Sequence, residues 1–216
     1  MISSQIGLLD KIFSGGLKNG TITEISGLRG TGKTQHALQF AIQPLSNNKK
    51  ILFVDTTVEF RPERFLQMIK SRNLSKNLLE NLQISRVTNT QEQLEILNNL
   101  PKQDFSLLII DNITDLFAFE YAKREHLIEK NNNFTNFMIN LSKISLLQNI
   151  PIIITNQTLQ TDNSNYQRMY MQLENYLHQK IQLEKIKNDF SCKITSPFIH
   201  DTKFNYKITN SGIEET

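Results

Sequence analysis

Short apolar runs recur along this chain, and each closes on a polar residue. Residues 51–55 read Ile-Leu-Phe-Val-Asp, residues 107–111 read Leu-Leu-Ile-Ile-Asp, and residues 150–155 read Ile-Pro-Ile-Ile-Ile-Thr. Residues 21–26 form a fourth run, which leads straight into a glycine-rich stretch. Runs of this kind suit strands covered on both faces, the pattern of a parallel sheet. Longer stretches with weak helical period lie between them, at residues 34–43, 61–72, 91–98 and about 132–148. Strand and helix therefore alternate, which predicts an α/β fold with a doubly wound, mostly parallel sheet. Ligands of such sheets bind beyond the carboxyl ends of the strands. Here those ends carry Gly27, Asp55, Asp111 and the pair Asn156-Gln157.

Toward the C-terminus the pattern changes. Residues 180–187 and 190–195 predict an antiparallel β-hairpin around Asn188-Asp189, and residues 204–209 a closing strand before the turn Asn210-Ser211-Gly212. Residues 158–172 are polar without a period and read as a surface loop. No repeat or second hydrophobic pattern interrupts the 216 residues, so one α/β domain over residues 1–216 is expected.

Composition changes this picture little. With 38% hydrophobic and 21% charged residues the chain is not disordered by composition. A formal net charge of +3 permits a nucleic-acid partner without requiring one. Cys192 is alone and cannot form an internal disulfide, and no Cys/His cluster has zinc spacing, which fits a reducing compartment. No apolar run approaches the ~20 residues of a membrane helix. Residues 1–4 lack the basic flank and apolar stretch of a signal peptide. The expectation is a cytoplasmic protein, or a nuclear one in a eukaryote, with no membrane partner.

The chemistry concentrates in Gly27-Leu28-Arg29-Gly30-Thr31-Gly32-Lys33-Thr34, a full match to G-x-x-x-x-G-K-[ST]. Backbone N–H groups must converge on a phosphate there, and side chains at the glycine positions would block the approach. Lys33 supplies a point charge for the β- and γ-phosphates, the Thr34 hydroxyl a Mg²⁺ ligand, and the following helix its positive dipole end. A predicted strand before the loop and a predicted helix after it give the motif its proper setting. Residues 107–111 end in Asp111, as a Walker B strand does when its carboxylate holds the metal's water shell. At the next strand end, Thr155-Asn156-Gln157 is either an ordinary polar turn or an amide placed to sense the γ-phosphate.

Taken together, these segments resemble the core of the archaeal and eukaryotic RecA-like recombinases. Residues 6–34 (IGLLDKIFSGGLKNGTITEISGLRGTGKT) look like the start of that core. Residues 53–64 (FVDTTVEFRPER), 107–111, 152–157 (IIITNQ) and 192–197 (CKITSP) follow in the family's order and spacing. The resemblance implies a RecA-like P-loop NTPase core that takes ATP and Mg²⁺. It implies that Arg64 stacks on adenine, a role its flat guanidinium suits, and that Gln157 couples ATP to a DNA-binding loop. It implies that residues 122–130 and 158–172 stand where the family's two DNA-facing loops stand. Their basic residues, Lys123, Arg124, Lys130 and Arg168, are the candidate DNA contacts.

Three departures matter. The family's Asp-Thr-Glu-Gly is here Asp55-Thr56-Thr57-Val58, so the glutamate expected to activate the attacking water is replaced by Thr57, which is no base near neutral pH. Glu59, two residues on, could point the same way if the strand continued. The sequence also begins at the core, without the small helical DNA-binding domain and the Phe-x-x-Ala linker. Phe119-Glu120-Tyr121-Ala122 has those letters in another place. A short, core-only paralogue similar to the archaeal RadB group is therefore expected rather than a filament-forming strand exchanger. Finally, the glycine pair that the full recombinases carry near Met171-Gln172 is missing. The resulting expectation is an ATP-binding paralogue in DNA recombination or repair. It would bind DNA, a recombinase or another paralogue, with weak DNA-stimulated ATPase activity. The alternatives are a catalytically inactive, nucleotide-gated adaptor and a signalling ATPase of the circadian-clock type, although the latter does not share Phe60-Arg61-Pro62-Glu63-Arg64.

Overall fold

The computed structural model describes residues 1–100, 104–161, 164–167, 169–196 and 199–216. Helix α1 (Gly7–Ile12) precedes an alternation of strands and helices: β1 (Ile22–Gly27), α2 (Lys33–Ser46), β2 (Ile51–Asp55), α3 (Pro62–Ser71), β3 (Leu82–Arg86), α4 (Thr90–Asn99) and β4 (Leu107–Asp111). Helices α5 (Asp115–Glu120) and α6 (Leu127–Gln148) lead to β5 (Ile152–Thr161), β6 (Ser164–Gln167) and α7 (Tyr170–Glu174). The chain closes on β7 (Gln179–Ile186), β8 (Asp189–Ser196), β9 (Ile199–Thr209) and β10 (Gly212–Glu215).

Among the described residues the sheet runs β10-β9-β8-β7-β1-β5-β4-β2-β3, and β6 pairs with β5 off this line. From β7 to β3 every pair is parallel. From β7 to β10 every pair is antiparallel. The fold is thus an α/β core with a mostly parallel sheet and an antiparallel C-terminal hairpin, as the sequence pattern predicts.

The continuous apolar runs have a direct physical cause. Successive strand side chains point to opposite faces, and here both faces are covered. Phe53, Leu107, Ile109 and Ile153 join Phe40 and Ala41 of α2 and Phe65 and Met68 of α3 in one core. Their neighbours Leu52, Val54, Leu108, Ile110 and Ile154 join Leu97, Phe117, Phe134, Phe137 and Leu141 in the other. Each fully buried side chain of this kind contributes about 1.5–3 kcal/mol. Local signals set the helix starts. Pro62 opens α3 at a position where its missing N–H costs nothing, and Asn89 Oδ1 caps α4 by accepting from Glu92 N at 2.8 Å.

Several expectations need correction. Residues 158–172 are not a structureless loop. Strand β5 runs on to Thr161 and pairs antiparallel with β6, and α7 follows. A polar ribbon carries no burial pattern, so its strand character was hidden. Helix α6 begins at Leu127, not near residue 132. Residues 122–130 therefore form a short 3-10 turn (Arg124–His126) and the first turn of α6. The closing strand β9 also starts earlier than expected, at Ile199. No helix among the described residues is long and apolar enough to cross a membrane.

Candidate functional site

The carboxyl ends of β1, β2, β4 and β5 come together beside the first turn of α2. Register places Gly27 opposite Gln157, and Asp55 opposite Asp111. A cavity of about 600 Å³ opens there, walled by Lys33, Thr34, Asp111, Asn112 and Gln157 on the sheet side. Arg29, Glu59, Arg61, Arg64 and Ile208 also line it.

The loop between β1 and α2 needs its glycines. A Cβ on Gly27 would stand 2.6 Å from the Leu183 carbonyl oxygen, a contact real side chains do not make. Gly32 has φ +89°, where an L side chain is strained. The lysine that follows folds back over the loop: Lys33 Nζ donates to the Gly27 and Leu28 carbonyls, both at 3.1 Å. Burial lowers the Lys33 pKa, and the charges of Asp111 and Asp115 oppose that shift. Thr31 is fully buried and donates through Oγ1 to the Leu28 carbonyl at 2.8 Å.

Thr34 Oγ1 donates to Asp111 Oδ2 at 2.6 Å, joining residues 77 positions apart. Thr155 Oγ1 donates to the other carboxylate oxygen. Burial raises the Asp111 pKa, opposed by these two bonds and by the Lys33 charge. Beneath this pair, Asn156 Nδ2 donates to Glu24 Oε1 at 3.0 Å, and Thr114 Oγ1 donates to Asn156 Oδ1 at 2.9 Å. Glu24 is wholly buried, and desolvation raises its pKa against the bond from Asn156. Asn156 and Glu24 thus tie β5 to β1 just before Gln157.

The remaining expected residues behave differently. Thr57 lines the cavity, but its hydroxyl donates to Asp55 Oδ1 at 3.1 Å. Glu59 reaches the same cavity and pairs with Arg29 at 3.0 Å, both largely exposed. Between them Val58 sits at φ +58°, a strained conformation for a β-branched residue. Arg64 is at the cavity wall, and its guanidinium donates to the Thr209 carbonyl at 2.5 Å and Gln35 Oε1 at 2.6 Å. Lys123 and Arg124 are exposed in the turn before α6, and Lys123 pairs loosely with Glu125 at 3.7 Å. Lys130 is half-buried within α6. Arg168 lies outside the described residues.

Sequence reasoning missed Asp115, a third carboxylate at the cavity beside Asp111 and Glu59, and Gln35, Asn112 and Ile208. Asp115 had a usable signal, an acidic residue in the first turn of a helix that follows a strand end. Ile208 had none, because its place depends on a strand that arrives from the far end of the chain.

A glycine-bearing turn between a central strand and a helix, with a lysine, a hydroxyl and an aspartate converging on it, defines a RecA-like P-loop core. The chain belongs to the Rad51 family, whose model matches residues 1–216. It is similar to the DNA repair and recombination protein RadA of Ignicoccus hospitalis, 27% identical over 230 residues that span 96% of this chain and 70% of that protein. The RadA protein of Methanococcus maripaludis is likewise 27% identical, over 236 residues covering 96% of this chain and 73% of its own.

Proposed function

We propose that the chain binds ATP with Mg²⁺ in this cavity and serves DNA recombination and repair. In that role it contacts DNA, a recombinase, or both, and hydrolyses ATP weakly. One observation carries the reading: the Thr34 hydroxyl and the Asp111 carboxylate, 2.6 Å apart, face a cavity that Lys33 also lines. Hard oxygen donors of this kind suit magnesium, which takes its other ligands from phosphate and water. Among the described residues no group of three His, Cys, Asp or Glu side chains could hold a metal by itself. A bound triphosphate would supply further oxygen ligands to the ion. Bound Mg²⁺ would supply charge neutralisation to the phosphates. Lys33 would add its charge to them, Thr34 would offer its oxygen, and Asp111 would orient the surrounding water. Arg64 would face the base, and Gln157 would report the γ-phosphate to the β5–β6 ribbon. Both RadA relatives are DNA repair and recombination proteins, and this supports the DNA side of the proposal.

Lys33→Ala tests the core of this reading. Removing the charge from the cradle should abolish ATP·Mg²⁺ binding in calorimetric titration, a loss of about 100-fold or more. Equal affinity for both proteins sinks the proposal.

A second reading, a nucleotide-gated adaptor without turnover, is favoured by one observation. Thr57 lines the cavity with its hydroxyl bonded to Asp55, and Glu59 is paired with Arg29. Phosphate release measured with single-stranded DNA present separates the two readings. The Rad51 match leaves the clock-type signalling ATPase with no observation of its own.

A further inference from the structure

Two carbonyls of the phosphate loop are held by side chains that the motif does not include. The Tyr206 hydroxyl, on β9, donates to the Thr31 carbonyl at 2.6 Å. The Gly32 carbonyl accepts twice, from the backbone N–H of His36 at 2.9 Å and from His36 Nδ1 at 3.0 Å. The two side chains also meet each other edge to face, with ring centroids 4.7 Å apart at 89°. Both are buried, and Phe190 packs against Tyr206 at 5.4 Å. A carbonyl oxygen can only accept, so the His36 ring is the donor in this bond. Its proton sits on Nδ1, the nitrogen that faces a carbonyl. Burial also raises the Tyr206 pKa, which keeps the hydroxyl a donor.

Peptide geometry turns these bonds into an instruction. In a planar trans peptide the C=O and the following N–H point in opposite directions. Holding the Thr31 carbonyl against Tyr206 aims the Gly32 N–H the other way. Holding the Gly32 carbonyl against His36 does the same for the Lys33 N–H. Gly32 and Lys33 both line the cavity. Nearby, Lys33 Nζ occupies the Gly27 and Leu28 carbonyls. Ile208, two residues along the same face of β9, sits where a Cβ on Gly32 would come within 2.8 Å of it.

We infer that Tyr206 and His36 are positioning residues, which turn the loop's amide hydrogens toward a bound triphosphate and let β9 set the affinity of the cradle. The inference rests on the nucleotide-binding reading above. It concerns residues outside the P-loop motif, one of them on a distant strand.

Tyr206→Phe removes a single oxygen and keeps the ring. His36→Leu removes the second donor, and His36→Asn restores an N–H close to the place of Nδ1. Tyr206→Phe and His36→Leu should each bind ATP·Mg²⁺ about 3- to 10-fold more weakly in calorimetric titration. His36→Asn should return close to wild type. In the nucleotide-free protein, amide hydrogen exchange across residues 28–36 should quicken in the two weakened variants, while β2 and β4 keep their wild-type rates. Unchanged affinity together with unchanged loop exchange overturns the inference. So does exchange that rises equally through the sheet, because that marks lost packing alone. If the wild type takes up no ATP, the nucleotide reading falls. The exchange of residues 28–36 then decides by itself whether the two side chains hold the loop.

Discussion

The phosphate loop and the basic segment at residues 122–130 are held in opposite ways. In the loop the carbonyls of Gly27, Leu28, Thr31 and Gly32 all have partners within the protein. The Thr34–Asp111 pair is likewise closed by Thr155. In the basic segment Lys123 and Arg124 are exposed, and the ion pairs around His126 are long, at 3.5 Å. The difference teaches which kind of recognition each place suits. A triphosphate cradle works by order fixed before the ligand arrives. Contact with a nucleic-acid backbone needs charge density more than geometry.

The comparison can be broken at several points. Among these variants the largest effect is expected at Asp111→Asn, which removes the charge and one of the two oxygens that accept from Thr34 and Thr155. Magnesium should then no longer tighten nucleotide binding, a loss of about 10- to 100-fold, while metal-free affinity stays. Titrations with and without Mg²⁺ check this, and a preserved magnesium effect removes Asp111 from the site. Next comes the double variant Lys123→Ala/Arg124→Ala. It should weaken DNA binding roughly tenfold at moderate salt and lower the slope of log affinity against log salt by about 2. Its melting temperature should not change. Gel shifts across a salt series read it, and an unaltered slope takes DNA off this segment.

Smaller effects sharpen the contrast from inside the cradle. Glu24 has a raised folded-state pKa because it is desolvated. The folded protein therefore holds its proton more tightly than the unfolded chain, and stability falls as pH rises through the folded value. Glu24→Gln should raise stability near neutral pH by about 1 kcal/mol, or roughly 2–4 °C. The gain should shrink as pH falls into the ordinary carboxylate range, where both states become protonated. Melting curves at pH 7.5 and pH 4 show it, and a gain independent of pH contradicts the buried-charge account. Smallest is Val58→Gly, which relieves the left-handed backbone. The strain of about 1–2 kcal/mol is partly offset by the added freedom of the unfolded glycine. A net rise of only about 1–3 °C is expected in the same assay.

Much of this architecture can be read before any coordinates. Residues 51–55 and 107–111 became β2 and β4 without a shift, because burial on both faces writes an unbroken apolar run. The phosphate loop was legible because its chemistry is local in sequence. Strand β3 was not, since Leu82-Gln83-Ile84-Ser85-Arg86 lies at the sheet edge with Ile84 partly exposed. Helix α5 is six residues long, too short to show a period. The first turn of α6, residues 127–130, was hidden because the resemblance reads 122–130 as a loop and the helical period shows only from about residue 132. The bond from Tyr206 to Thr31 was beyond any local signal, because it depends on how the sheet orders its strands.

That bond spans 175 residues of sequence. A chain growing from a ribosome exposes its first strand–turn–helix long before Tyr206 has been made. Closing so long a loop is slow and entropically costly. The cavity beside α2 is therefore completed only after β9 has been made and has joined the sheet.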